Sequence, residues 1–356
     1  MSTASIYCFP IEELQHTLPG DAATTFVWEY EDGSLDLLKL YAKAKQQQWN
    51  AAERIDWSIE LHPDNPIGLQ DQQIAIYGTP FWDRLPDKEK ATVRLHMQAQ
   101  VISQFLHAEQ GALMAAARLV QAMPTFEGKF CAATQTMDEA RHIEAFGRLV
   151  HEKLKLAYPP APAFVTLLGQ ILNDRRWDMT CLGMQVLLEG LGVGAFARIR
   201  DNASSPLVAS VYAYALQDEA RHNAFGRMAM REYYADLSEA ERDEREEFVV
   251  QTCDEMWQQF FQKQVWETLG IPAEAAAQAM ESSVFLREVR SRIFRRVVPA
   301  VKDIGLWGRR TQDAFERMGI IGFAAEHPEA HLEEDRRIAA QFDANRFVKK
   351  ALENAP

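Results

Sequence analysis

Asp138-Glu139-Ala140-Arg141-His142 recurs letter for letter as Asp218-Glu219-Ala220-Arg221-His222, an offset of 80 residues. Ala-Phe-Gly-Arg follows each copy, at 145–148 and 224–227, with a one-residue slip. The offset also extends upstream. Glu109 stands thirty residues before Glu139, and Glu189 thirty before Glu219. Both lie in apolar surroundings, Phe105 to Leu113 and Val186 to Gly192, where burying a lone carboxylate is expensive. An internal repeat governs the whole fold and is read before any local signal.

The breakers agree with the repeat. Pro124 lies midway between Glu109 and Glu139, and Ser204 midway between Glu189 and Glu219. Each Glu pair therefore sits on a helical hairpin. A fifteen-residue arm of helix rises about 22 Å, so the two carboxylates return to one level. In Glu-x-x-His, positions i and i+3 share a helix face. Four helices then bring Glu109, Glu139, His142, Glu189, Glu219 and His222 to one layer of a bundle core. Carboxylates with one imidazole per metal suit iron or manganese rather than structural zinc. Four carboxylates balance two divalent cations.

On these residues the chain resembles the ferritin-like carboxylate di-iron superfamily. It is most similar to the oxygen-activating branch, which holds multicomponent monooxygenase hydroxylases, the ribonucleotide reductase small subunit and di-iron N-oxygenases. The resemblance covers about residues 88 to 235. It implies that Glu109, Glu139 and His142 hold one iron and Glu189, Glu219 and His222 the other, with bridging carboxylates shared. It matches Asp138, Arg141, Asp218 and Arg221 to the family's surrounding network. A metal-bound His needs an acceptor for its other N–H, and an Arg can neutralise a buried Asp. The implied cofactors are two iron ions, with manganese possible, and O2. No catalytic residue is expected beyond the metal site.

Three positions depart from particular relatives. Reductase subunits place a radical tyrosine where this chain has Phe146. Toluene- and methane-type hydroxylases place a Thr where it has Val193. Some N-oxygenases add a third His where it has Ala215. The chain is also shorter than hydroxylase large subunits, which suggests a self-contained oxygenase. Phe105, Ala112, Leu113, Phe146, Val186, Gly190 and Val193 are expected around the site, mostly as bundle core. Gly190, Gly192 and Gly194 are costly inside a helix, and suggest room for substrate or a π-bulge. Tyr212 is expected as a core aromatic with a hydrogen-bonded hydroxyl. His16, His62, His96, His107, His151, His327 and His331 are read as non-ligands. No nucleophile signature or phosphate loop is present.

The expected fold is all-α: a ferritin-like four-helix bundle with a di-metal core, extra C-terminal helices and an irregular N-terminal arm. Residues 1–86 form the wrapping arm, with four of the eight tryptophans and one helix near Leu35 to Ala52. Residues 87–235 form the bundle, opening with Asp87 as N-cap. Residues 236–356 add helices near Glu239 to Leu269, Ala273 to Gly305 and Arg309 to Met318, then a charged, partly exposed tail. No alternating β pattern occurs.

The net charge of −13, from 38 basic and 51 acidic residues, disfavours nucleic acid. Four scattered cysteines fit neither a zinc site nor a disulfide framework, and suit a reducing compartment. No signal peptide and no run of 18 apolar residues is seen, so no membrane is expected and the cytoplasm is the expected location. The functional expectation is an O2-activating non-haem di-iron oxygenase acting on a small organic substrate, by hydroxylation, N-oxygenation or a related oxidation. Without a flavin or nicotinamide motif, electrons are expected from a ferredoxin or flavin reductase. A homodimer is expected. The alternatives are a radical-generating reductase-like subunit, which Phe146 argues against, and a ferroxidase or metal-handling protein, which the extra helices argue against.

Overall fold

A computed structural model of the chain describes residues 24–25, 34–259 and 261–353. The described residues are mostly helical, with no extended strand among them. Helix α1 (Leu35–Gln46) stops sooner than expected. The chain breaks over 47–50 and restarts as α2 (Ala51–Arg54), because Asn50 turns extended and its side chain accepts from the Ala52 N–H at 2.9 Å. After α3 (Pro80–Arg84) comes α4 (Asp87–Ala122), whose N-cap is Pro86 rather than Asp87. Asp87 sits in the first turn instead, where an acid complements the helix dipole.

The Thr125 hydroxyl caps α5 (Phe126–Arg148), which runs on through a π-helical turn, Leu149–Leu154. Next come α6 (Pro162–Asn173) and a continuous rod made of α7 (Trp177–Cys181), a π-helical stretch Leu182–Leu188, and α8 (Glu189–Asn202). Helix α9 (Pro206–Tyr234) closes the bundle. The two hairpin turns fall at residues 123–125 and 203–205, where Pro124 and Ser204 stand.

Helices α4, α5, α8 and α9 pack on one another as the four-helix core, and α1 lies across α5 and α9. The Trp177–Asn202 rod has the length and apolarity of a membrane span, with a mean hydropathy of 1.4. Burial explains that apolarity: 83% of the same window lies inside the protein.

The C-terminal third is more broken than its sequence suggests. Helix α10 (Glu239–Gln259) and α11 (Lys263–Thr268) replace one helix over 239–269, and Gln262 between them adopts a left-handed φ of 47°. Three helices, α12 (Ala273–Ser282), α13 (Val284–Ile293) and α14 (Val297–Asp303), make up the helical stretch expected over 273–305. Ser283 is extended and caps α13 through its hydroxyl. Pro299 has no N–H for the Arg295 carbonyl, so a continuous helix cannot pass it; α14 takes it in its first turn. Helix α15 (Arg309–Arg317) follows. The charged tail is a helix, α16 (Pro328–Glu353), which packs on α9 and buries His331 and Asp335.

Candidate metal centre

Each core helix contributes to one buried cluster. Glu109 comes from α4, Glu139 and His142 from α5, Glu189 from the start of α8, and Glu219 and His222 from α9. All six are at most 5% exposed. His142 Nδ1 lies 3.1 Å from Glu109 Oε2, 3.3 Å from Glu139 Oε2 and 3.0 Å from Glu219 Oε1. His222 Nδ1 lies 3.1 Å from Glu139 Oε1, 3.3 Å from Glu219 Oε2 and 3.9 Å from Glu189 Oε2. Two groupings can therefore each hold a cation, Glu109/Glu139/His142/Glu219 and Glu139/Glu189/Glu219/His222, with candidate ligand atoms within 4.8 Å of one another. Glu139 and Glu219 belong to both, which is the placement a bridging carboxylate needs.

The electrostatics suit cations. Oε2 of Glu139 and of Glu189 are buried without a hydrogen-bond donor among the described residues. Burial pushes the Glu109 and Glu189 carboxyls well above their ordinary pKa, and the neighbouring Glu219 adds to this in both. Burial acts against the charge on Glu139 too, but His222 and His142 outweigh it and hold that carboxyl below its usual range. Oxygen-rich donors with two imidazoles, buried and partly without hydrogen-bond donors among the described residues, fit two divalent metal ions of the iron or manganese kind. Gln135 escapes the sequence reading. One turn before Glu139 on the same face, its Nε2 donates to Glu139 Oε1 at 3.0 Å and Glu189 Oε1 at 2.5 Å. The i−4 spacing is the signal that would have found it.

Asp138, Arg141, Asp218 and Arg221 form a second buried layer, and the two halves of the repeat cross in it. His142 Nε2 lies 3.2 Å from Asp218 Oδ2, and His222 Nε2 lies 3.2 Å from Asp138 Oδ2. An Nε2–H donated to an Asp reserves Nδ1, the nitrogen that faces the glutamates, for a metal; without one, burial opposes the charge on both imidazoles, yet the carboxylates around them hold their pKa well above the ordinary value. Arg141 Nη2 donates to Asp138 Oδ1 at 2.5 Å and Asp218 Oδ2 at 2.7 Å. Arg221 Nη2 donates to both aspartates as well. Burial opposes the charge on Asp218, yet Arg221, His142 and Arg141 hold its carboxyl well below the ordinary value.

A cavity of about 320 Å³ reaches the cluster at Glu109, Glu189 and Glu219. Of the neighbours expected from sequence, Phe105 and Ala112 line it, whereas Phe146, Val186 and Val193 are packed in the core. The three glycines divide the same way. Gly192 lines the cavity with open space around it, while a side chain at Gly190 would meet Val297 and one at Gly194 the Ile293 backbone. The π-helical stretch lies one step earlier, immediately before Glu189. Phe105, Phe146, Phe196 and Tyr212 form an aromatic box with ring centroids 4.9 to 6.2 Å apart. Contrary to expectation, the Tyr212 hydroxyl has no hydrogen-bond partner among the described residues, because the other three members of its box are phenylalanines.

Arg290 also lines the cavity, and no sequence motif marks it. It is 2% exposed, and its guanidinium lies 3.8 Å from the Trp257 ring centroid and 5.4 Å from that of Phe261. Nη2 donates to Glu281 at 2.9 Å, while Nε and Nη1 make no hydrogen bond among the described residues. None of the remaining described histidines joins either metal-type grouping: His107 bonds the Tyr158 carbonyl and His96 the Tyr158 hydroxyl.

Comparison with known proteins adds three findings. The sequence model described as "P-aminobenzoate N-oxygenase AurF" matches residues 34–305. Among solved structures, an R2-like ligand-binding oxidase with an anaerobically reconstituted Mn/Fe cofactor is similar at a TM-score of 0.48 and 18% identity, over 76% of this chain and 94% of that one. No curated protein matches the sequence.

Proposed function

The chain belongs to the p-aminobenzoate N-oxygenase AurF family, and from that premise we propose that it is an O2-dependent non-haem di-iron oxygenase. Its substrate is a small organic molecule with an apolar body and an anionic end. The observation that carries this reading is the contact between the two candidate sites: three of the four clustered glutamates form part of the cavity wall.

Glu109, Glu139, His142, Glu189, Glu219 and His222 are the proposed ligands, with Glu139 and Glu219 shared. When bound, two iron ions (or manganese) supply the redox chemistry with O2 and with electrons from a ferredoxin or flavin reductase. The chain's own residues do the rest. Asp138 and Asp218 hold the imidazole protons on Nε2. The aromatic box and the apolar walls exclude water. Arg290 brings a buried guanidinium to the cavity wall, and its Nε and Nη1 have no hydrogen-bond partner among the described residues, so it can meet the anionic end of a substrate. This is the chemistry of the molecule named in the family description, an aromatic amine bearing a carboxylate. Ala215 supplies no third imidazole, so oxygen insertion at carbon stands beside N-oxygenation as an outcome. Phe146 cannot store a phenoxyl radical, which disfavours the radical-subunit alternative. We propose, further, a homodimer in the cytoplasm, with residues 1–86 as an arm and 236–356 as a covering layer on the 87–235 bundle.

The test is turnover under ¹⁸O2 of the reduced, iron-loaded chain with p-aminobenzoate and, separately, aniline. Oxygen-18 should enter the anionic substrate preferentially, and Arg290→Met should raise its KM about tenfold with little change in kcat. Iron oxidation with no oxygenated product from any anionic aromatic would overturn the reading in favour of iron handling. A stable tyrosyl EPR signal in high yield would overturn it in favour of a radical subunit.

A further inference from the structure

We propose that three consecutive arm residues, Gln47, Gln48 and Trp49, are positioning residues that clasp the crossed Asp–Arg layer and so set metal affinity. The inference rests on the ligand assignment above. It concerns residues some ninety to 175 positions from their partners, which no motif connects.

The contacts are specific. Gln48 Nε2 donates to Asp138 Oδ1 at 2.7 Å, and Gln48 Oε1 accepts from Arg141 Nη1 at 2.7 Å. Trp49 Nε1 donates to Asp218 Oδ2 at 2.8 Å. Gln47 Oε1 accepts from Arg221 Nη1 at 2.9 Å. The Arg141 guanidinium also lies over the Trp49 ring, 4.8 Å from its centroid. Every charged member of the layer is therefore tied to the arm by at least one side chain.

The helix break makes this possible. Were α1 to run on through 47–50, successive side chains would point about 100° apart around the helix, and these three could not meet one flat layer. The break opens the chain where the layer needs donors and acceptors.

The consequence is asymmetric. Asp218, which backs His142, receives an indole N–H. Asp138, which backs His222, receives an amide. The internal repeat makes the two halves alike, and the arm makes them different. Without the arm's donors, each Asp would lose a fixed hydrogen bond, and the His it orients would lose its fixed direction.

The experiment is a cobalt(II) titration of the full metal-free chain, followed by its visible absorption and by the exchangeable imidazole N–H resonances of the cobalt form. The wild type should take up two equivalents. Trp49→Phe and Gln48→Leu should each weaken at least one equivalent tenfold or more and move an imidazole N–H resonance. Trp57→Phe is the control: this indole, also in the arm, donates to the Ala51 carbonyl and touches no member of the layer. It should titrate like the wild type. Wild-type isotherms for both Trp49→Phe and Gln48→Leu would overturn the clasp, as would an equal loss in Trp57→Phe, which would trace the effect to arm stability. A wild type that takes up no cobalt would overturn the ligand assignment and the clasp together.

Discussion

His222 donates its Nε2–H across the bundle to Asp138, an aspartate from the opposite half of the repeat, at 3.2 Å. His142 does the same to Asp218. Neither hairpin holds a complete half-site. Each supplies two glutamates and the histidine of one grouping, and one glutamate and the outer acceptor of the other, so the metal centre forms only when the hairpins dock.

Shared and unshared glutamates should differ. Glu139 and Glu219 belong to both groupings, whereas Glu109 and Glu189 belong to one each. Glu109→Gln and Glu189→Gln should retain about one iron per chain by metal analysis, and Glu139→Gln or Glu219→Gln should retain less. Equal stoichiometry in all four variants would contradict the shared placement.

Metal should stabilise the fold. Without it, buried carboxylates must protonate or open to water. A cation that binds only the folded chain adds about 2.7 kcal/mol at a hundredfold excess over its dissociation constant. Calorimetry with and without anaerobic Fe(II) should show a higher midpoint in the loaded chain.

The orphaned Tyr212 hydroxyl should be dispensable for folding. A buried polar group without a partner costs about 1 to 3 kcal/mol. Tyr212→Phe should therefore leave the unfolding free energy of the metal-free chain, measured in urea, unchanged or raise it, by up to about 3 kcal/mol. A large loss of stability would reveal a partner for that hydroxyl.

Two glycines on α8 should respond in opposite ways. Gly192 faces open space, and Gly194 abuts the Ile293 carbonyl. Gly192→Ala should be tolerated and shrink the cavity slightly, and the gain in helix propensity is about 1 kcal/mol. Gly194→Ala must push α13 away and should lower the melting midpoint.

Asp335 should give the fold an acid-side stability gain. Burial raises its carboxyl from an ordinary 3.8 to about 6, and the nearby Arg296 and Arg200 only partly offset this. Protonation is favoured in the folded chain, so the contribution is full below about pH 4 and lost as pH rises through about 6. At about 1.4 kcal/mol per pH unit over that window, the loss is up to about 3 kcal/mol. Asp335→Asn should flatten the pH dependence of unfolding between pH 4 and 7.

The ligand candidates, the two hairpins and the all-α class were legible because they rest on short-range rules. Glu-x-x-His sets two side chains on one face through helix geometry alone, and Pro124 and Ser204 mark turns through backbone chemistry. An 80-residue repeat then carries the same rules to the other half. The remainder was decided by docking. Whether Asp138 meets His142 or His222 depends on how α5 and α9 cross. Trp49 reaches Asp218 over 169 residues of chain, and Arg290 comes to the cavity from a helix with no motif. Tyr212 is without its expected partner among the described residues, where its ring neighbours are phenylalanines. The sequence by itself determined which groups enter the core and at what level. Only the tertiary structure decided who faces whom, since a local pattern fixes the direction of a side chain on its own helix but not the element packed opposite it.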